Sequence, residues 1–369
     1  MKTYKKIFRG FIHAMLLPLN IIVHKFPKNN IILQEIVRND IVANSRVKWK
    51  FFKINLDEKD IPKYNLRKTG IVMQGPIRYE EDFTLKTAML YRQIYPDIPI
   101  VITTGDKDIS NKFIEQCKVN KIEVLKNKLP CISGYGHVNY QVCNTIKGIN
   151  YLEGRARYIL KTRTDQAFYY PAFLIFLQNI LYTFKKSDSK MSGRLVFLGA
   201  RNSYRWIPFH VSDFMAFGRF DDMKKLYDIP YSVEPKKLVN HAVLDRVRNE
   251  ISYYELSGIN CNNNSLRNKL RKVLSHYINA EAYILREFYN KYIEPIEQEK
   301  IYEQYVNFLK NYTVIVNPTD LAFYWPKYGN ECKIDSFSDI NCGNLDFQYW
   351  LSIYRKHGGN IELERIDEK

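Results

Sequence analysis

A dense group of charged and hydroxyl side chains follows an apolar run in the segment Tyr158–Tyr170, YILKTRTDQAFYY. Lys161, Arg163 and Asp165 alternate with threonines, so an extended chain would project all three from one face. A carboxylate here can hold a divalent cation that clamps a diphosphate, and the two cations can pair directly with phosphate oxygens. A structural cluster of ion pairs is the alternative. Three charges at one strand end are costly as structure alone, so the pattern favours a functional site.

Polar residues also end two earlier apolar runs. GIVMQGPI ends at Gln74, Gly75 and Pro76, and IPIVITTG ends near Thr103. A glycine at such a point lets the backbone approach a ligand closely, although an ordinary turn would use the same residue. The carboxyl ends of parallel strands gather at one edge of a sheet, which is where open α/β sheets bind ligands. We therefore expect Gln74, Thr103 and Asp165 to border one cleft.

The spacing of apolar residues predicts the elements that position these groups. Strands are predicted for GIVMQGPI, IPIVITTG, KIEVLK, ARYILKTRTD, GRLVFLG and HVSDFMAFG. Helices are predicted for EEDFTLKTAMLYRQIYP, DISNKFIEQC, HVNYQVCNTIKGINYLEG, RFDDMKKLYD, residues 170–184 and most of 278–312. The alternation of strands and helices predicts the α/β class, with a mainly parallel sheet flanked by helices and a helical C-terminal part.

Length and charge limit the possible functions. The 369 residues suffice for one large domain or two modest ones, and 56 Lys and Arg against 39 Asp and Glu give a formal net charge of +17. A non-enzymatic basic protein that coats nucleic acid or anionic membrane would explain this charge. It would not explain polar residues at successive strand ends. No helix-turn-helix, zinc-finger or RNA-recognition pattern is present, so we expect no nucleic-acid partner.

The chain begins with a basic and apolar segment, MKTYKKIFRGFIHAMLLPLNIIVHKF. Its apolar stretch, Phe11–Val23, falls short of the roughly 20 residues that a spanning helix needs, and no small-residue cleavage site follows. The four preceding cations fit a helix that lies on an anionic membrane surface: Lys2, Lys5, Lys6 and Arg9. An ordinary helix packed on the domain is the alternative.

Five segments occur in an order that resembles the WavE lipopolysaccharide-synthesis family: GIVMQGPI followed by ED, NYQVCNTIKGI, YILKTRTDQ, HVSDFMAFG and AEAYI. The resemblance implies a GT-A-like core domain at 67–290, between an N-terminal extension at 1–66 and a mostly helical extension at 291–369. It implies transfer of a sugar from a nucleotide-sugar donor to a lipopolysaccharide, capsule or other envelope glycan, carried on an oligosaccharide or a lipid. We expect such an enzyme in the cytoplasm, on the inner face of the bacterial inner membrane.

The resemblance also implies a role for each matching residue. Donor binding is expected at the strand ends and at the start of the helix before the fourth strand, at Gln74, Gly75, Pro76, Thr103, Asn139, Gln141, Lys161 and Arg163. GYGHVN, which precedes that helix, breaks the G-x-G-x-x-G pattern at its last position, so a Rossmann dinucleotide site is not supported.

Asp165 would stand where GT-A enzymes carry a DxD metal motif. RTDQ has a single Asp, with Arg163 in the place of the first, so the sequence admits Mn²⁺ or Mg²⁺ at Asp165 without requiring either. Arg163 and Lys161 could instead supply the positive charge that stabilises a departing diphosphate. Asp213 and Glu281 are further catalytic candidates, and either could serve as the general base toward the acceptor hydroxyl. A cap or ion pair and a solvated helix face are their respective structural alternatives.

Overall fold

The computed structural model describes residues 66, 68–199, 203, 207–233, 275–276, 278–326 and 345–356. The basic segment at the start of the chain lies outside these residues. None of the helices in the described part is both long enough and apolar enough to cross a bilayer.

Short apolar runs form the strands, which in chain order are β1 (Thr69–Gln74), β2 (Ile100–Thr104), β3 (Ile122–Lys126), β4 (Tyr158–Arg163), β5 (Ala167–Phe168), β6 (Leu195–Leu198), β7 (Ala216–Arg219), β8 (Thr313–Val316) and β9 (Phe323–Tyr324). A seven-stranded sheet has the order β3-β2-β1-β4-β7-β6-β8, and β5 pairs with β9 in a separate two-stranded sheet. Within the seven-stranded sheet β7 runs antiparallel to both neighbours, and the other pairs are parallel. The predicted mainly parallel α/β sheet is therefore confirmed.

The helices are α1 (Phe83–Ile94), α2 (Asn111–Val119), α3 (Val138–Tyr151), α4 (Phe173–Thr183), α5 (Phe220–Tyr227), α6 (Ala280–Tyr292), α7 (Ile301–Tyr312) and α8 (Phe347–Lys356). Each has an apolar face at helical spacing. In α1, for example, the buried side chains Leu85, Ala88 and Tyr91 recur every third residue, and Pro96 follows the helix end. Such faces cover the apolar surfaces of the sheet.

The chain reverses its direction of travel across the sheet at β1. It runs outward from β1 through β2 to β3 and then returns to place β4 on the other side of β1. Right-handed crossovers then put α1 and α2 on one face and α3 on the opposite face. A Cβ at Gly148 of α3 would lie 2.5 Å from Val72 Cγ1, so this glycine lets α3 pack closely on the sheet. The carboxyl ends of β1 and β4 therefore form a topological switch point, where open α/β sheets bind ligands.

Two regions differ from the sequence-based expectation. HVSDFMAFG is strand only from Ala216, and the preceding residues form an irregular buried segment. The expected helices α6 and α7 are present, but the C-terminal part also supplies β8, which pairs with β6 at the edge of the sheet, and β9. Runs of four and two residues are too short to show a period, and their partners lie more than 100 residues earlier.

Candidate functional site

Residues at the ends of β1, β2 and β4 lie side by side at the carboxyl edge of the sheet. Gln74 is in register with Thr103 on one side and with Arg163 on the other. Residues that lie opposite each other in neighbouring strands project to the same face of the sheet. Gly148 of α3 lies against Thr103, so the side chains of Gln74, Thr103 and Arg163 all point to the face that α3 covers. Thr103 is buried, and its hydroxyl has no hydrogen-bond partner among the described residues. This is the edge at which the sequence predicts the site.

Arg163, the last residue of β4, and Asp165, two residues beyond it, form a two-pronged ion pair. Arg163 Nε donates to Asp165 Oδ1 at 2.9 Å, and Nη2 donates to Oδ2 at 3.1 Å. Trp325 Nε1 donates to the same Oδ2 at 3.0 Å, and the guanidinium carbon lies 5.4 Å from the centre of the Trp325 ring. Both charged side chains are about four-fifths buried. The arrangement holds the Arg163 guanidinium in one orientation at the switch point.

Neighbouring charges keep this pair ionised. Burial alone would raise the pKa of Asp165, but the bonds and charge of Arg163 and the Trp325 N–H hold it below its usual value. Burial alone would lower the pKa of Arg163, but Asp165, with Asp213 and Glu281 adding to the field, raises it above its usual value. Asp213 and Glu281 therefore lie within electrostatic reach of Arg163.

Lys161 lies deeper in the same face of β4. It is fully buried, in register with Val72, and its ammonium donates a hydrogen bond to the backbone carbonyl of Asp213. Burial lowers its pKa to about 8, against the raising effect of the Asp213 carboxylate. The full burial leaves Lys161 without a surface for direct contact with a ligand. It anchors the irregular segment before β7 and adds positive charge to the site.

The two remaining candidate carboxylates come from separate elements. Asp213 is 7% exposed, and its charge contributes, after burial, to raising the pKa of the buried Tyr227. Glu281 lies half-buried in the first turn of α6. Asn279 caps that helix by accepting a bond from the Ala282 amide at 2.9 Å. Both carboxylates act on Lys161 and Arg163, so the structure brings together all three catalytic candidates and both cations.

The cap of α6 is also tied to the segment that carries Asp213. Asn279 Nδ2 lies 2.6 Å from His210 Nε2 and donates to it, because burial lowers the pKa of His210 to about 3 and leaves the ring neutral. His210 thus has the structural role that is usual for a lone buried histidine. The bond links the elements that carry Asp213 and Glu281.

Loop-to-loop hydrogen bonds shape the floor of the site. Gly75 has φ +130°, and its amide donates to the Thr103 carbonyl at 3.0 Å. Thr164 Oγ1 donates to the carbonyl of the exposed Pro76 at 2.6 Å, and Asp106 Oδ2 accepts from the Ile77 amide at 2.7 Å. The sequence pattern does not single out Thr164 or Asp106 for this role. Their positions just after β4 and β2, at the same edge of the sheet, are the feature of the sequence that could have identified them.

Asn139 and Gln141 lie at the start of α3, as expected, but differ in what they offer. Both amide hydrogens of Asn139 are used, toward the carbonyls of Ile132 and Ser232, and its Oδ1 accepts from the Ser232 amide. A ligand could hydrogen-bond to the Asn139 side chain only by displacing one of these bonds. The Oε1 of Gln141 is buried and has no partner in the described part of the chain. The preceding turn touches α6, since a Cβ at Gly136 would lie 3.3 Å from Ala280 Cβ.

Gln166 is not among the predicted site residues, yet it lies next to Asp165. Its side chain is completely buried, and neither amide atom has a partner within the described residues. An unpaired buried amide costs about 1–3 kcal/mol. Gln166 can therefore both donate and accept hydrogen bonds at the site. Only the structure reveals this, because the sequence does not show which side-chain amides are paired.

The described donor set does not fit a divalent cation. Both oxygens of Asp165 already accept hydrogen bonds from Arg163 or Trp325. No group of three His, Cys, Asp or Glu side chains within the described ranges is arranged to hold a metal ion. A metal ion at Asp165 would have to compete with the Arg163 guanidinium for both carboxylate oxygens.

A separate cavity of about 750 Å³ lies near the amino ends of β2 and β3, at the opposite edge of the sheet. Its most buried cation, Arg92, is committed to structure, because the guanidinium donates to the carbonyls of Tyr95, Pro96, Ile98, Asn120 and Lys121. These bonds hold the loops before β2 and β3. The charged cluster of the switch point is therefore the stronger candidate for chemistry.

Several solved structures are similar to this chain. A 4-diphosphocytidyl-2C-methyl-D-erythritol synthase from Anaerococcus prevotii DSM 20548 has a TM-score of 0.32 at 11% identity, covering 49% of this chain and 83% of that one. A cytidylyltransferase from Leptospira borgpetersenii serovar Hardjo-bovis (strain JB197) has a TM-score of 0.27 at 12% identity, covering 62% and 99%. A glycosyltransferase involved in glycosylation of the major capsid of PBCV-1 has a TM-score of 0.29 at 9% identity, covering 72% and 98%.

Sequence comparisons identify the family. A search of curated proteins finds no match. The sequence profile described as WavE lipopolysaccharide synthesis matches residues 69–359. That range begins at β1, extends beyond α8 and includes every candidate residue of the site. The chain therefore belongs to the WavE lipopolysaccharide synthesis family.

Proposed function

We propose that this chain is a glycosyltransferase that moves a sugar from a nucleotide-sugar donor to a lipopolysaccharide, capsule or other envelope glycan. The observation that carries the proposal is the cluster of Lys161, Arg163, Asp165, Asp213 and Glu281 at the topological switch point. Membership of a lipopolysaccharide synthesis family supports the acceptor class. A basic coat protein has no need of three carboxylates within electrostatic reach of two largely buried cations, so the cluster favours the enzyme over the non-enzymatic alternative.

Arg163 is the residue best suited to the donor diphosphate. As the bond between the sugar and the β-phosphate breaks, its electron pair leaves with the nucleoside diphosphate, and fixed positive charge at that position stabilises the transition state. Arg163 is partly exposed and held rigidly, whereas Lys161 is buried and acts through its field. The unpaired buried atoms of Thr103 and Gln141 are available to pair with the rest of the donor.

Glu281 is the better placed general base. The acceptor hydroxyl must lose its proton as its oxygen bonds to the anomeric carbon, and a carboxylate within hydrogen-bond reach can take that proton. Glu281 is half-buried, whereas Asp213 is only 7% exposed. Tyr135 and Tyr283, whose ring centres are 6.2 Å apart, are half-buried near the same turn of α6 and offer apolar surface to a sugar ring. Asp213 is the alternative base.

Thermal shift with a panel of nucleotide sugars, with and without Mn²⁺, tests the donor class. A donor at ~100 times its Kd should stabilise the fold by about 2.7 kcal/mol. The panel identifies the nucleotide and the sugar, and the Mn²⁺ arm decides metal dependence. The non-enzymatic alternative would be favoured if no nucleotide sugar shifts the melting temperature while the protein binds duplex DNA or anionic vesicles tightly.

Donor turnover in Glu281→Gln tests the base. We expect loss of transfer with retained donor binding, because Gln keeps the shape but cannot accept the proton. Glu287→Gln is a matched control on the same helix, where burial raises the pKa of a half-buried carboxyl. Normal transfer by Glu281→Gln would move the role to Asp213, and equal loss in both variants would indicate a structural effect.

A further inference from the structure

We propose that Trp325, which the C-terminal part of the chain contributes, is a positioning residue for the Arg163–Asp165 pair. By holding Asp165, it fixes the direction in which Arg163 presents its free guanidinium nitrogen to the donor diphosphate. This inference rests on the proposed function and gives a role in catalysis to a segment outside the predicted core domain.

Trp325 contacts both members of the pair at once. Its Nε1 donates to Asp165 Oδ2 at 3.0 Å, and its ring lies 5.4 Å from the Arg163 guanidinium carbon. The ring is 5% exposed and packs edge-on against Phe214, with centres 4.4 Å apart and an interplanar angle of 71°. Phe214 therefore packs against the indole in the orientation in which its N–H points toward Asp165.

The bonding pattern of Arg163 leaves one nitrogen for a ligand. Nε and Nη2 both donate to Asp165, while Nη1 has no partner among the described residues. A guanidinium is planar, so two bonds on one side fix the direction of the third nitrogen. Because Trp325 shares Oδ2 with Arg163 Nη2, rotation of the carboxylate would turn Nη1 away from its present direction.

The backbone explains why Trp325 reaches this point. In the β5–β9 pair, Ala167 lies opposite Tyr324 and Phe168 opposite Phe323. Continuing that antiparallel register by one residue sets Trp325 opposite Gln166, next to Asp165. The pairing also extends in the other direction, where the Tyr169 amide donates to the Ala322 carbonyl at 3.2 Å. The two-stranded sheet thus delivers a C-terminal side chain to the end of β4.

Trp325→Phe tests the inference, because it keeps an aromatic ring but removes the N–H. Trp350→Phe is a matched control: Trp350 is fully buried in α8 and donates its Nε1 to the Leu309 carbonyl at 2.9 Å. We expect Trp325→Phe to weaken inorganic pyrophosphate binding, measured by calorimetry, by about 10-fold, which is the scale of one hydrogen bond to a charged group. Trp350→Phe should bind as the wild type does.

A double-mutant cycle separates positioning from general structural damage. In an Arg163→Lys background the effect of Trp325→Phe on pyrophosphate binding should disappear, because the residue it acts through is gone. An effect that persists in that background, equal losses in both tryptophan variants, or unchanged binding in Trp325→Phe would each overturn the inference. If Trp325→Phe does not fold by circular dichroism, Trp325→Met, which also lacks a strong hydrogen-bond donor, replaces it in the same cycle.

A readout without a phosphate ligand distinguishes this inference from the proposed function. Phenylglyoxal modification of Arg163, followed by peptide mass spectrometry, should be faster in Trp325→Phe than in the wild type or Trp350→Phe. If neither pyrophosphate nor any nucleotide sugar binds the wild type, the proposed function fails, and faster labelling would still support the hold of Trp325 on Arg163. Equal labelling in all three proteins would refute that hold.

Discussion

Asp165 holds Arg163 in place through both of its oxygens, which leads to the first prediction. In Asp165→Asn, the amide NH₂ would replace one carboxylate oxygen and face either Arg163 Nε or both Arg163 Nη2 and Trp325 Nε1, so the pair should open. We expect sugar transfer to fall by about 10²-fold, the scale seen when a fixed electrostatic group is lost. The melting temperature should drop modestly, since the lost bonds are worth about 1–3 kcal/mol. Initial rates and thermal melts measure the two effects.

Asp228→Asn is the matched control for this prediction. Asp228 also pairs with a cation, Lys291, and accepts a bond from an aromatic residue, Tyr292, but it is exposed. Its replacement should leave transfer unchanged. If Asp165→Asn instead unfolds the protein while its folded fraction transfers sugar normally, the group at the end of β4 is structural.

Lys161 predicts a pH dependence. Burial lowers its pKa from 10.5 to about 8, so its charge disappears as the pH rises through that value. If the charge supports the departing diphosphate, transfer should decline above about pH 8, and Lys161→Met should show a low rate without that decline. The folded pKa lies below the unfolded one, so between these values the unfolded chain binds more protons and wild-type stability should rise with pH. In denaturant titrations, the unfolding free energy of Lys161→Met should lack that rise. If the transfer rate of this variant still declines above about pH 8, another group is responsible for the titration.

At the scale of elements, the loop after β1 depends on Gly75. Its φ of +130° is a conformation that L side chains rarely adopt, and an added Cβ would lie 2.9 Å from Thr164 Oγ1. Gly75→Ala should therefore strain the backbone and disturb the bond from Thr164 to the Pro76 carbonyl. We expect a loss of about 1–3 kcal/mol in unfolding free energy and a weaker affinity for the donor. Denaturant titration and donor binding measure the two.

Gly154→Ala separates strain from contact in this test. Gly154 also has positive φ, +72°, but a Cβ there meets nothing within 4 Å. Gly154→Ala should lower the unfolding free energy without any change in the affinity for the donor. If Gly75→Ala binds donor as well as Gly154→Ala does, the loop after β1 does not shape the donor site.

Local sequence pattern predicted the first half of the fold well. The strands β1 to β4 are short apolar runs separated by helices, so their parallel pairing follows from the alternation itself. The alternation within KTRTDQ also predicted correctly that Lys161 and Arg163 share one face, because β4 continues through Arg163. It could not show which cation is buried, since that depends on the segment around Asp213, which folds over Lys161.

Long-range partners were beyond the reach of the sequence pattern. Trp325 bonds to a residue 160 positions earlier, and nothing in its local sequence marks it as part of the site. The strand Thr313–Val316 joins the sheet only because it pairs with Leu195–Leu198. In both cases the determining information is tertiary contact, whereas a period of 2 or 3.6 residues reports only local burial.

At the scale of the whole molecule, the charge cluster accounts for little of the formal charge of +17. Lys161 and Arg163 are offset by three neighbouring carboxylates, so the excess must reside elsewhere on the chain. An excess of cations raises the local concentration of anionic partners and favours contact with anionic lipid. Such a field would favour both the donor diphosphate and the membrane-bound glycan acceptor of the proposed function.

The N-terminal segment is where this charge meets apolar side chains. The four cations of Lys2–Arg9 precede the apolar stretch Phe11–Val23, and each cation near an anionic bilayer contributes about 1 kcal/mol. We expect the full chain to co-sediment with vesicles that contain anionic lipid, and the chain without residues 1–26 to stay in the supernatant at low salt. Binding should weaken as salt rises, because exposed charges are screened.

Two controls separate charge from apolar insertion in that experiment. Replacing Lys2, Lys5, Lys6 and Arg9 by Gln keeps the apolar stretch and should lower binding to anionic vesicles by about 10²–10³-fold, the scale of four such contributions. Neutral vesicles should bind the wild type and this variant equally weakly. If the truncated chain sediments with anionic vesicles as fully as the intact chain, the segment is packed structure, and the membrane-binding surface must lie on the rest of the protein.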